Sequence, residues 1–173
     1  MKTIDIGCGI KKYPGAIGID AHKMPGVDVV LDLENGKLPF AASSIDSAFS
    51  AHTLEHITNL QKLIEEVHRV LKNKGIFTIK VPYFNSSGAY ALGHKHFFKF
   101  DSFDMFTGNH AMAQYRTTAK FNYRSRKIVF GKKFALWNYV IEPIFNLIPK
   151  IYENSVLRIF PADELLVELE CVK

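Results

Sequence analysis

The chain carries Ile-Asp-Ile-Gly-Cys-Gly at residues 4–9 and Ile-Gly-Ile-Asp at residues 17–20. The first stretch reads as a short apolar strand with a carboxylate, closed by two glycines one residue apart. The second reads as another short strand, ending in Asp20. Glycines at such a turn let the backbone approach a ligand, because no Cβ stands in the way. A carboxylate at the tip of the next strand suits a ribose diol. The pair fits an adenosyl ligand lying across the carboxyl ends of a parallel sheet.

Further along, residues 2–6, 16–20 and 27–32 read as three short strands, Ile45–Ala51 as a fourth and Ile76–Val81 as a fifth, stopped by Pro82. Leu60, Leu63, Ile64, Val67, Val70 and Leu71 recur at helical spacing. Thr58 or Asn59 caps that helix, and Gly75 ends it after Lys72 and Lys74. This alternation predicts an α/β fold with a Rossmann-like, doubly wound, mostly parallel sheet. Phe121–Phe130 and Leu165–Val172 read as strands that add an antiparallel C-terminal edge. Only about seven residues separate Gly9 from Ile17, with Pro14-Gly15 among them, so the first helix is shortened or absent. Phe134–Ile148 is apolar at helical spacing but broken by Pro143 and Pro149. The chain divides as one domain: residues 1–82 a cofactor-binding half, 83–120 a loop-rich substrate cap with a short helix near Ser102–Phe106, and 121–173 the C-terminal strands and helices.

With 173 residues, 47% of them hydrophobic and 23% charged, the composition is that of a soluble globular domain. No run reaches the roughly 18 apolar residues of a membrane span. The sequence opens directly on a strand, so no signal peptide and a cytoplasmic location are expected. Cys8 and Cys171 fit a reducing compartment, with Cys8 packing in the glycine turn. The net charge is +5, with Lys120, Arg124, Arg126, Lys127, Lys132 and Lys133 forming a basic stretch. It reads as a solvated strand face with its loop, and nucleic acid is not expected as a partner. The Trp137–Phe145 region reads as a buried helix, with peripheral membrane contact as its alternative.

The sequence resembles the class I S-adenosylmethionine-dependent methyltransferases, in particular a small bacterial and archaeal branch of the Methyltransf_11-like group. The resemblance rests on Asp-Ile-Gly-Cys-Gly at 5–9, Gly-Ile-Asp at 18–20, Asp-Leu-Glu at 32–34 and Leu-Pro-Phe at 38–40 with Ser-Ile-Asp at 44–46. Ser-Ala-His-Thr-Leu-Glu-His-Ile at 50–57 and Arg-Val-Leu-Lys-Asn-Lys-Gly at 69–75 complete it. It implies S-adenosyl-L-methionine as cofactor. It implies that Asp5, Gly7, Cys8 and Gly9 form the turn at the methionine end and that Asp20 accepts the ribose hydroxyls. Asp32 and the Leu33 amide would meet the adenine, and Ser50, Ala51 and His52 would border the sulfonium. The chain departs from the pattern at Lys11, where the usual third glycine falls. Lys11 or Lys12 would then supply charge to the methionine carboxylate. The thinly covered sheet face would be covered by a second copy, as a homodimer, or by segment 134–148.

Gly-His-Lys-His-Phe-Phe at 93–98 looks like the Thr-His-Lys/Arg-Phe-Phe stretch common in that branch. His94 or His96, alongside His52, is the expected base for a substrate hydroxyl. His94 and His96 have no evident third metal ligand, so no metal is expected. His56 caps or packs. The cap aromatics form a local core, with a few lining an apolar substrate pocket. Ala51-His52-Thr53-Leu54 stands where amine and base N-methyltransferases carry Asn/Asp-Pro-Pro-Tyr. This favours an oxygen in a small-molecule, sugar or lipid-like acceptor. An NAD(P) oxidoreductase, a non-catalytic cofactor- or partner-binding protein and an RNA methyltransferase are the alternatives.

Overall fold

Ile4, Ile6, Ile19, Ile45 and Ile79 are fully buried and form the middle of one twisted sheet. The computed structural model describes residues 1–34, 37–108, 117–131 and 137–173. Seven strands run in the order β3-β2-β1-β4-β5-β7-β6. They are β1 (Thr3–Ile6), β2 (Ile17–Asp20), β3 (Val29–Val30), β4 (Ile45–Ala51), β5 (Leu71–Pro82), β6 (Lys120–Val129) and β7 (Glu164–Val172). The first five are parallel, and β7 is antiparallel to both β5 and β6. This is the predicted Rossmann-like, mostly parallel sheet with an antiparallel C-terminal edge. The strand that meets β5 is the one latest in sequence.

Helix α1 (Leu60–Val70) buries Leu63, Ile64, Val67 and Val70, one face at helical spacing. Its cap is Asn59, whose side chain accepts the Lys62 N–H. The helix stops at Val70, not at Gly75, which lies inside β5. The left-handed residue after the helix is Lys74, with φ of 64°. The third strand is two residues rather than six, and the short helix near 102–106 is a 3-10 turn at Asp104–Phe106.

Between β1 and β2 there is no helix, only turns. The buried Asp5 carboxylate accepts the Tyr13 N–H at 2.7 Å. The Tyr13 ring then packs on Phe49 of β4, with centroids 4.7 Å apart. That ring covers part of the face a first helix would cover. Lys12 is engaged elsewhere: its Nζ lies 2.7 Å from Asp28 Oδ2, which also accepts the Gly18 N–H. Segment 134–148 does not cover the face either, because its described part packs on β6 at the far edge.

There, α2 (Asn138–Leu147) keeps Pro143 inside, and α3 (Pro149–Asn154) begins on Pro149. Proline at the first helical position forfeits no hydrogen bond. Around Pro143 tertiary contacts override local preference. Phe130 N–H donates to Glu142 at 3.0 Å, and Asn146 exchanges hydrogen bonds with both Ile128 backbone groups at 2.7 and 2.8 Å. The expectation of a buried apolar helix fails in part. Asn138, Glu142 and Phe145 face inward, while Trp137, Val140, Leu147 and Ile151 are exposed. The basic stretch is largely paired, as a strand face should be. Arg126 lies over Tyr123 and Phe100 and bonds Asp104 at 3.2 Å, and Lys127 meets Glu142 at 2.8 Å. Lys132, Lys133, residues 134–136 and cap residues 109–116 lie outside the described residues.

A buried carboxylate helps to fasten the cap to this C-terminal helical hairpin, α2 and α3. Glu153 Oε1 accepts Tyr83 Oη–H at 2.6 Å and Phe100 N–H at 2.7 Å. Burial, with Glu153 alongside, holds the Tyr83 phenol well above its ordinary pKa. Tyr83→Phe leaves that carboxylate short of a donor and is expected to lower stability by about 1–3 kcal/mol. Urea unfolding at unchanged m-value is the measurement, and an unaltered midpoint would contradict it.

Candidate functional site

The carboxyl ends of β1, β2 and β4 open into a cleft of about 480 Å³. Gly7 and Gly9 form its floor at φ of 70° and 51°. An added Cβ on Gly7 would stand 2.1 Å from Thr53 Oγ1, whereas one on Gly9 would meet nothing within 4 Å. Asp20 stands at the wall. Its Oδ2 accepts the Gly9 N–H at 2.9 Å and its Oδ1 the His22 N–H at 3.1 Å. Each carboxylate oxygen keeps a second lone pair for a ligand hydroxyl. Asp32 and Leu33 line the far end. Asp32 is exposed and accepts the Glu34 N–H at 3.0 Å.

Of the ten residues expected around the cofactor, Gly7, Gly9, Asp20, Asp32, Leu33 and His52 line this cleft. The other four lie behind it. Asp5 holds the Tyr13 amide, and Cys8 packs its buried thiol beside Gly18. Burial pushes the Asp5 carboxyl and the Cys8 thiol above their usual pKa values. Ser50 is fully buried and donates to the Ile6 carbonyl, so its hydroxyl does not border the cleft. Ala51 is the last residue of β4 and is not part of the lining. The proposed charge from Lys12 is likewise spent, on Asp28.

A second cleft of about 450 Å³ adjoins the first, and His52 and His56 line both. His52 has the left-handed φ of 52° at the end of β4. Such a conformation in a residue other than glycine concentrates at functional sites. Its Nε2 lies 2.9 Å from Glu164 Oε1 and its Nδ1 3.6 Å from Glu55 Oε1. Those two carboxylates push its pKa up to about 9, Glu164 contributing most. Both carboxylates favour the protonated form of this ring.

The two cap histidines part company. His94 lines the second cleft and turns its Nδ1 to the Ala89 carbonyl at 3.0 Å. His96 instead bonds the Ile57 carbonyl through Nε2 at 2.7 Å and is not in the lining. The cap aromatics are absent from this lining too, which consists of His, Glu, Asp, Ser and small residues. Tyr83, Phe98 and Phe103 go to the core, and Phe106 lines a separate, mainly apolar cavity of about 210 Å³ together with Met105 and Phe121.

The sequence reading missed Glu34, Glu55 and Glu164. Glu34 accepts the Thr58 N–H and Oγ1–H and the Lys95 ammonium at 2.7 Å. Lys95, then Thr58, lower its pKa to about 2. It ties the cap to the wall of the first cleft. Glu164 reaches the site only because β7 starts beside the end of β5.

Residues 4–79 match the Methyltransf_11 family model, described as a methyltransferase domain. Over 101 residues the chain is 29% identical to the sterol 4-C-methyltransferase strm-1 of Caenorhabditis elegans, covering 46% of this chain and 30% of that protein. The chain thus spans less than a third of that relative's length. Among solved structures, YcgJ of Bacillus subtilis superposes with a TM-score of 0.60 at 17% identity, covering 99% of this chain and 92% of that one. An S-adenosylmethionine-dependent methyltransferase of Mesorhizobium loti does so at 0.56 and 16%, covering 98% and 90%. At these identities the structural likeness is one of fold. Residues 4–79 are thus the part of the chain that is similar to a methyltransferase domain, and they carry most of the motifs quoted above.

Both glycines of the turn carry the left-handed backbone, but only Gly7 is also crowded. Gly9→Ala is expected to cost about 1–2 kcal/mol from backbone strain. Gly7→Ala should cost distinctly more, because the methyl group collides with Thr53. Equal losses in paired urea melts would contradict the packing of Thr53 over the turn.

Proposed function

We propose that the protein transfers a methyl group from S-adenosylmethionine to an oxygen of a polar, hydroxyl-bearing head group on a lipid-like acceptor. The observation that carries this reading is the pair of adjoining clefts that share His52 and His56. The first cleft fits the cofactor by its donors and shape. Asp20 would take the ribose hydroxyls, and Asp32 and the Leu33 amide the adenine. The Gly7–Gly9 backbone would take the methionine end. When bound, the cofactor supplies an electrophilic methyl group. The rest is positioning: the second cleft would hold the acceptor hydroxyl against the shared wall, and orientation supplies most of the acceleration. His94 is the cap histidine that would meet the acceptor, since His96 is committed to Ile57.

The head-group reading rests on the His, Glu, Asp and Ser side chains in the lining of the second cleft. The lipid part rests on the hairpin next to it. Asn85, beside cleft residue Ser86, holds the hairpin through Tyr152 Oη and the Arg158 and Ala162 backbone at 2.8–3.2 Å. That hairpin exposes Leu147, Ile151, Val156 and Ile159. Its described acids Glu142 and Glu153 are buried, whereas Lys150 and Arg158 are exposed. Exposed apolar side chains, with cations as the exposed charges among the described residues of that segment, suit an anionic bilayer surface. No helix among the described residues is long and apolar enough to cross a membrane. The sterol methyltransferase likeness points to the same broad class of acceptor.

Calorimetric titration with S-adenosylhomocysteine and with NAD tests the cofactor assignment. Binding of the first and not the second is expected. Asp20→Ala should weaken binding by about 1.5–3 kcal/mol, or roughly 10–150-fold. Unchanged affinity would remove Asp20 from the ribose site. Sedimentation with phosphatidylglycerol and with phosphatidylcholine vesicles tests the surface. Binding to the former is expected, and Leu147→Asp with Ile151→Asp should abolish it. Equal binding to both vesicles, or none, would overturn the membrane reading.

A further inference from the structure

We propose that Glu55, His56 and His94 hold a divalent transition-metal ion at the boundary between the two clefts. The proposal rests on the reading of the second cleft as the acceptor side, and it gives that side a means of fixing an oxygen.

Glu55 is the observation that demands a ligand. It is only 1% exposed, and neither carboxylate oxygen has a hydrogen-bond partner among the described residues. An ionised carboxylate in such a position costs several kcal/mol unless a cation compensates it. The one cation within 4 Å among the described residues is the His52 ring, whose Nε2 is 2.9 Å from Glu164 and whose Nδ1 stands 3.6 Å from Glu55, beyond hydrogen-bond distance. Glu55 is part of the wall of the second cleft.

Two imidazoles face it. Glu55, His56 and His94 each offer one ligand atom, and all three atoms lie within 4.8 Å of one another. The His56 and His94 rings meet edge to face at 4.6 Å. Each ring has Nδ1 against a backbone carbonyl, Gly93 for His56 at 3.3 Å and Ala89 for His94 at 3.0 Å. A ring nitrogen facing a carbonyl must be the protonated one. In the neutral ring this leaves the lone pair on Nε2, which is how metal-binding histidines are oriented by their outer partners. Ligand atoms around a tetrahedral zinc ion stand roughly 3.3–3.5 Å apart. Two imidazole nitrogens and one carboxylate select a first-row divalent ion such as zinc or cobalt over magnesium, which takes oxygen ligands.

Three protein ligands leave positions open for an exogenous oxygen. Because His56 lines both clefts, an oxygen bound there stands between the acceptor side and the cofactor side. The ligand class is therefore an acceptor hydroxyl or a water in its place. The set joins the turn after β4 to the cap, so the ion would also cross-link the two walls.

The test uses the full chain without a polyhistidine tag, stripped with a chelator and titrated with cobalt(II), zinc and magnesium chlorides. One equivalent of cobalt and of zinc is expected to bind, with cobalt giving the intense visible absorption of a low-coordinate site. Magnesium should bind far more weakly. His94→Ala and Glu55→Gln should each weaken zinc binding at least as much as the roughly 10–100-fold that loss of an outer partner brings. His96→Ala should leave it unchanged. Failure of the stripped protein to bind cobalt or zinc, or equal binding by both site variants, overturns the proposal whatever the variants' stability. S-adenosylhomocysteine titration of the same stripped sample separates the two readings. If the nucleoside binds and metals do not, the metal site fails alone. If metals bind and the nucleoside does not, the methyltransferase reading fails and the metal site stands.

Discussion

An antiparallel strand inserted in a parallel sheet must begin where its neighbours end. That constraint organises the working edge of this molecule. β7 starts at Glu164, paired with Pro82 at the end of β5. Its first side chain therefore lands among the tips of the parallel strands, 2.9 Å from His52. Lys80 of β5 completes the group at 3.0 Å from the same carboxylate. The raised pKa of His52 and the shape of the wall between the clefts follow from this placement.

The N-terminal half was legible because its signals are local. Asp5, Gly7, Gly9 and Asp20 act within one β-turn-β unit, and their spacing alone encodes the turn. The roles assigned to Ser50 and Ala51 were less secure. Strand alternation decides which way a side chain points, and Ser50 turns inward to Ile6. Glu164 carries no signal at all in sequence. Its role depends on a pairing with residues more than eighty positions earlier. His94 and His96 illustrate the same limit: two residues of one motif differ only in which carbonyl each meets. The short first connection was readable as a missing helix. The substitute, Tyr13 on Phe49, was not, because a lone aromatic next to Pro14 and Gly15 reads as a turn residue.

The C-terminal hairpin inverts the usual expectation for an apolar segment. Its acids are inside because they have work there: Glu142 caps Phe130 and meets Lys127, and Glu153 gathers Tyr83 and Phe100. With the inner positions given to polar anchors, many of the aliphatic side chains are left outside. Pro143 and Pro149 are tolerated for the same reason, since the anchors on β6 fix the path. Hydrophobic periodicity identifies a helix well. It does not tell which face looks inward when the buried face is polar.

The position of β7 has a further consequence, for the order in which the chain acquires its structure. Ile4 pairs with Ile17, and the first strands close with short loops. Ile76, by contrast, pairs with Glu170, and Lys120 with Val172. Loop closure over such distances is slow, and chains emerge from the ribosome N-terminal end first. Until residues 164–172 are made, β5 and β6 have no native partner on their facing sides. A nascent or truncated chain therefore presents open strand edges, β5 among them with Phe77, Ile79 and Val81, which template intermolecular pairing. The strand that completes the working edge is also the one that covers the open edge of β5.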